Sequence, residues 1–229
     1  MSKNKRSHMR FDSVSLLTAD LSKQLIFYRD VLGLPVIGQK DKSVTFQIGA
    51  SRLKFVQDET DAFYHFAFNI PPQQFAEAKS WLSERVVLIR DLSGNDEFHS
   101  QNWNADIFYF WDANGNIVEF IARHTLDSNI SQPFSAKNLE CISELGIVTN
   151  NVPQTVKRIQ DLTGATLYRA EINEQFVSVG DETSLFIVVK KDRIWFPETK
   201  AAIVAPFKIT ITNQQDTFLE LDNHSLEAL

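Results

Sequence analysis

One order of strands and helices recurs along this chain, and it limits the fold more than any single residue does. An alternating strand over residues 11–18 leads into an amphipathic helix over 21–34. The helix's apolar positions, Leu21, Leu25, Phe27, Tyr28, Val31 and Leu32, recur at three- and four-residue spacing. Strands are predicted next at 36–37, 44–48 and 52–57, giving a βαβββ order. A second stretch repeats it, with a strand over 64–70 halted by Pro71-Pro72 and a helix over 73–85 carrying Phe75, Ala78, Trp81 and Leu82 on one face. Strands then follow at 86–89, 107–111 and 116–122. The polar segment between Asp91 and Asp106 reads as a loop over or beside a site. A third stretch has a strand at 142–149, a helix at 152–162 ended by Gly164, and a closing strand at 186–189. Asp20 to Gly33 and Asn151 to Gly164 have the same spacing, and Gly49 in VTFQIGASRLKF is answered by Gly180 in FVSVGDETSLFIVV. Residues 206–212 read as the first strand of a fourth, shortened unit.

A single βαβββ unit makes a small curved sheet with one apolar face, and two such units packed around a common cleft close a half-barrel. The expected class is therefore α+β, with tandem βαβββ modules forming half-barrel sheets around a cleft. Two units, 9–57 and 64–123, would form an N-terminal domain over 9–123 and hold the cleft between them. Residues 124–137, rich in Ser, Asn and Pro, read as a linker. Residues 138–213 would form a truncated C-terminal module, with flexible tails at 1–8 and 214–229.

Composition narrows the function. The net charge of −6 argues against a nucleic-acid partner, because phosphate contacts need clustered Lys and Arg. No apolar run is long enough to cross a membrane, and the basic start Met1–Arg6 has no apolar segment behind it, so neither a membrane partner nor secretion is expected. Cys141 is the sole cysteine, which excludes an internal disulfide and fits a cytoplasmic protein. Set among Leu139, Ile142 and Leu145, it reads as a buried, inert thiol. Most of the 18 phenylalanines are expected in the core, and a cleft lined by the remaining aromatic rings would suit an apolar or aromatic small molecule. A homodimer could cover the sheet edge that the shortened module leaves open. No glycine-rich phosphate loop, Ser/His/Asp arrangement or CxxC pair is present.

The segment Phe108-Tyr109-Phe110-Trp111, followed by Asp112-Ala113-Asn114-Gly115-Asn116 and Ile117-Val118-Glu119-Phe120, reads as strand, tight turn, strand. Glu119 sits in an apolar strand; it either points to solvent from a half-exposed strand or, if buried, needs a partner, since burying a lone carboxylate costs several kcal/mol or more. Together, DLSKQLIFYRDVLGL and FYFWDANGNIVEF resemble the two halves of the signature of the vicinal-oxygen-chelate superfamily. That superfamily includes glyoxalase I, the bleomycin and fosfomycin resistance proteins, and the extradiol dioxygenases. The resemblance covers residues 9–123 well and 139–212 more faintly.

The resemblance implies a divalent metal (Fe2+, Mn2+, Ni2+ or Zn2+) held by side chains of the first and last strands of paired units. Carried onto this sequence, it makes His65 and Glu119 the metal ligands and Glu119 the catalytic group. A strand histidine is equally well explained by a structural hydrogen bond. The first unit departs from the pattern: Ser13 stands where a histidine is expected and Lys54 (or Leu53) where an acid is. The ligand set is then incomplete, and a Lys54–Glu119 ion pair could fill the metal's place. Tyr109, Trp111, Trp103 and His99 are further candidates for ligand contact, with Tyr28 beside them. Glu144 holds the first-strand position of the third unit; with no acid or histidine near 186–189, it is expected to be solvated or paired, without a second metal site. Residues 193–197 read as an apolar turn. The resemblance implies either a metal-dependent lyase, isomerase or oxygenase, or a metal-free, resistance-type binding protein.

Overall fold

The computed structural model describes residues 9–128, 132–197, 200–213 and 215–226. The helices begin and end as their sequences dictate. The Asp20 carboxylate accepts the Lys23 N–H at 2.9 Å and opens α1 (Leu21–Ile26), which widens into a π-helical turn over Phe27–Val31. In the third unit Asn151 accepts the Gln154 N–H at 3.2 Å and opens α3 (Val152–Thr163), which Gly164 ends at φ +73.

The first unit comprises β1 (Arg10–Thr18), α1, β2 (Val36–Lys40), β3 (Ser43–Ile48) and β4 (Ser51–Gln57). The second has β5 (His65–Asn69), α2 (Phe75–Ser83), β6 (Phe98–Ser100), β7 (Ala105–Trp111) and β8 (Ile117–Arg123). The third has β9 (Cys141–Thr149), α3, β10 (Phe176–Asp181) and β11 (Ser184–Lys190). The fourth has β12 (Phe207–Thr212), β13 (Phe218–Asp222) and the short α4 (Asn223–Leu226). Gly49 lies in the turn between β3 and β4, whereas Gly180 lies within β10, one residue before its end, so the two do not occupy equivalent positions. A Cβ would lie 2.0 Å from the Glu140 carbonyl at the first and 2.1 Å from the Ser184 carbonyl at the second, so only glycine fits.

Two expectations differ. Residues 86–89 form no strand: Leu88 makes a single bridge to Phe110, and the edge strand β6 comes instead from the polar segment, where residues 98–100 pair with β7. The stretch 214–229, expected as a tail, contributes β13 and α4, because Leu221 and Leu226 are both buried. The N-terminal tail 1–8 lies outside the described residues.

The larger correction concerns which units meet. The six-stranded sheet runs β13-β12-β1-β4-β3-β2 and the seven-stranded sheet β10-β11-β9-β5-β8-β7-β6. Unit one therefore pairs with unit four through β1 and β12, and unit two with unit three through β5 and β9. The cleft expected in the N-terminal half, between units one and two, is built by units two and three. The cause is the free edge of each unit's first strand, whose N–H and C=O groups need a partner. The later units supply it. Units one and two meet instead through apolar faces, in a core that holds Phe11, Phe55, Phe66 and Phe120. The opposite face of the curled seven-stranded sheet carries a separate apolar cluster with Ala67, Ile107, Ile117, Ile121 and Ile187. Among the described residues no helix is long and apolar enough to cross a membrane.

Candidate metal centre

The period of two along a strand selects what this second face presents. On β5, Phe66 and Phe68 enter the main core while His65 and Ala67 face the other way. On β8, Val118 and Phe120 enter the core, leaving Ile117, Glu119 and Ile121 beside them. Ala67 lies opposite Glu119 on one side and opposite Glu144 of β9 on the other. His65, Glu119 and Glu144 thus converge, each offering a ligand atom within 4.8 Å of the others. Their exposures are only 5%, 2% and 1%.

The hydrogen bonding leaves this cluster unfinished. His65 Nδ1 lies 3.3 Å from the Ile117 carbonyl oxygen, which can only accept, so Nδ1 carries the proton and Nε2 presents a lone pair. That lone pair faces Glu119 Oε2 at 3.5 Å, and Glu119 Oε1 has no hydrogen-bond partner. Two electron-rich atoms this close in a dry site need a proton or a cation between them. Glu144 accepts from Arg123, a fully buried side chain whose other terminal nitrogen, Nη1, is unbonded.

Electrostatics follow from burial. Desolvation, and then the charge of Glu144, push the Glu119 carboxyl well above its ordinary range, against Arg123 and the neighbouring Tyr109 phenol. Burial pushes Glu144 up to about 7, with Arg123 opposing. Burial pulls His65 down to about 4, opposed by its bond to the Ile117 carbonyl. A neutral imidazole beside two buried carboxyl groups is a donor set that suits a divalent cation, whose charge would favour the ionised carboxylates.

A cavity of about 630 Å³ opens onto the cluster, lined by Phe98, Trp103, Tyr109, Phe176, Trp195 and Phe196. The Trp195 ring packs 4.8 Å from that of His65. Gly146 leaves room for it, since a Cβ there would sit 2.9 Å from the indole. Arg193, half-buried at the wall, is the cationic group lining the cavity.

The sequence-predicted residues divide sharply. His65, Glu119, Tyr109, Trp103 and His99 all line this cavity. Trp111 shares the face but lies outside the lining, near the Lys200 ammonium. Ser13 and Lys54 sit on β1 and β4 of the other sheet, so the Lys54–Glu119 pair does not form. Tyr28 is wholly buried in the main core, where its hydroxyl donates to Asp112 at 3.0 Å. Asp112 also accepts from the Gln24 side chain at 2.8 Å, so the turn motif ties α1 to the β7–β8 turn rather than serving the site. Glu144, expected to be solvated or paired, is paired with Arg123 and also joins the cluster. Arg123 was missed, although it lies four residues after Glu119 on the same strand face; that spacing was the available signal.

The profile of the Glyoxalase/Bleomycin resistance protein/Dioxygenase superfamily matches residues 10–81. Over those residues the chain is similar to the vicinal-oxygen-chelate superfamily. It is 27% identical to metallothiol transferase FosB of Staphylococcus saprophyticus over 114 residues, 46% of this chain and 72% of FosB. It is 26% identical to the Staphylococcus haemolyticus FosB over 113 residues, 46% of this chain and 78% of FosB. The fold is similar to that of a candidate dioxygenase from Bacillus subtilis, with TM-score 0.62, 11% identity, and 95% of this chain and 86% of that one covered. Glyoxalase I from Zea mays matches with TM-score 0.55 and 12% identity, over 95% and 93% of the two chains. Proteins of the vicinal-oxygen-chelate superfamily typically use divalent metals and bind small molecules; here His65 and Glu119 lie on the first and last strands of unit two and Glu144 on the first strand of unit three. Ile187 takes the remaining corner: it pairs with Gly146, two residues after Glu144, as Glu119 pairs with Ala67, two after His65.

Proposed function

We propose that this protein is a metal-dependent enzyme acting on a small, partly aromatic or apolar molecule in the cavity between units two and three. His65, Glu119 and Glu144 would hold the metal. The observation that carries this reading is His65 Nε2 facing Glu119 Oε2 at 3.5 Å, with Glu119 Oε1 unbonded. Bound there, a divalent ion would act as a Lewis acid toward adjacent oxygens of a substrate. One imidazole with two carboxylates lacks the second histidine of the usual non-haem iron triad, which favours lyase or isomerase chemistry on Mn2+, Ni2+ or Zn2+ over oxygenation.

The chain's own groups have definite tasks. The Ile117 carbonyl fixes the tautomer and ring orientation of His65, and Arg123 aims Glu144. Glu119, with a raised pKa and an oxygen that has no hydrogen-bond partner, is suited to accept and return a substrate proton. Trp195, Tyr109 and Phe98 line the cavity with aromatic surface that would limit water around a bound substrate, and Arg193 would anchor an anionic substituent.

The Arg123–Glu144 pair favours a second reading, a metal-free binding protein, because it already neutralises one of the three ligands. Metal analysis of protein purified without chelators separates the two. The enzyme reading expects bound metal that falls by one equivalent in His65→Ala; equal content in both proteins refutes it.

A further inference from the structure

A second cluster of metal-type side chains stands at the rim of the cavity and takes no part in the buried site. His99 on β6 and Asp106 on β7 are directly paired across the strands, and His124 follows the end of β8. His99 Nδ1 lies 2.7 Å from Asp106 Oδ1, and His124 Nε2 lies 2.8 Å from Asp106 Oδ2. The two imidazole rings are 6.4 Å apart. One ligand atom from each of the three side chains lies within 4.8 Å of the others.

We propose that His99, Asp106 and His124 form a second, solvent-accessible site for a borderline divalent cation of the Zn2+ class. The donor set is two imidazole nitrogens and a carboxylate, which suits Zn2+, Cu2+ or Ni2+ better than the oxygen-seeking Mg2+ or Ca2+. The three side chains are fixed by strand register and by the bond from the His124 N–H to the Asn104 carbonyl at 3.0 Å. Each imidazole nitrogen already aims at the carboxylate, so a cation entering between them replaces two N–H···O bonds without reorganising the backbone. Ligands around a tetrahedral zinc lie roughly 3.3 Å apart, given bonds of about 2.0–2.1 Å. The side chains are 52%, 29% and 38% exposed, leaving the fourth position to water. A bound ion would fasten β6, which forms part of the cavity wall through Phe98 and His99, to β7 and β8.

Equilibrium dialysis of the metal-stripped full chain against Zn2+ tests this. His99→Ala/His124→Ala is expected to bind one equivalent less than the wild type, whatever the buried site contributes, because the comparison counts only the rim ion. Zn2+ should raise the melting temperature of the wild type more than that of the variant. Should the double variant fold poorly, His124→Ala alone, read by the visible absorption of tetrahedral Co2+, serves instead: one such chromophore should vanish. Equal stoichiometry in wild type and variant, or an unchanged Co2+ spectrum, overturns the proposal.

Discussion

The two sheets of this molecule share one register and differ in what they place on it. In the seven-stranded sheet Ala67 faces Glu119 and Glu144; in the six-stranded sheet Ser15 faces Lys54 and Lys208. His65 lies two residues before Ala67, and Ser13 two residues before Ser15. Corresponding corners are therefore His, Glu and Glu in one half, and Ser, Lys and Lys in the other. Only the face turned to the main core must keep its apolar alternation for the fold to form; the other face is free to carry chemistry or lose it. The halves also differ in closure. Trp195 and Phe196 line the cavity beside the acidic corners, whereas Lys208 is exposed and the fourth unit has two strands among the described residues. Two lysines repel a cation, and solvent pays for their charge.

The largest expected effect that would break this comparison is on stability. Arg123→Met leaves the Glu144 charge buried and unpaired, at a cost of about 3–5 kcal/mol. Arg10→Ala, which removes the exposed partner of Asp12 in the other half, should cost under about 1 kcal/mol. Urea unfolding of both variants gives the two numbers; similar values would mean that the site half is no drier than its counterpart.

A smaller effect depends on pH. In the metal-free protein the folded pKa of Glu119 lies above its usual value of 4.5. Below that pH both states hold the proton, and wild type and Glu119→Gln should be equally stable. Above it the unfolded chain ionises first, so the wild type loses about 1.4 kcal/mol per pH unit relative to the variant until Glu119 ionises in the fold. Saturating divalent metal should reverse the sign, leaving the wild type the more stable. A pH-independent difference would contradict the buried, uncompensated carboxyl.

The smallest effect sharpens the contrast: Lys54→Ala should leave metal affinity unchanged within about twofold, about 0.4 kcal/mol, as read by calorimetric titration. A large gain would show that the six-stranded half also senses the metal.

Much of this was legible in the chain. The helix start at Asp20, the turn at Gly49, and the period of two that puts His65 and Glu119 on the face away from the core are local effects, written in neighbouring residues. What stayed hidden is non-local. Which first strands pair is decided by backbone groups that every residue carries, so Glu144 could not be brought to Glu119 from side-chain pattern alone. β6 formed from a polar segment because β7 had an open edge, and Leu221 and Leu226 ordered a stretch that reads as a tail. Lys54 was misplaced for the same reason: its position in the unit was right, but its sheet was not the one that meets Glu119.

Anomalous diffraction from crystals grown with Mn2+, Ni2+ or Zn2+, collected at the edge of the added ion, is the most direct measurement. A peak at bonding distance, about 2.0–2.3 Å, from His65 Nε2 and from carboxylate oxygens of Glu119 and Glu144 is the predicted result. Anomalous density absent from that cluster, with Arg123 still holding Glu144 at saturating metal, would contradict it.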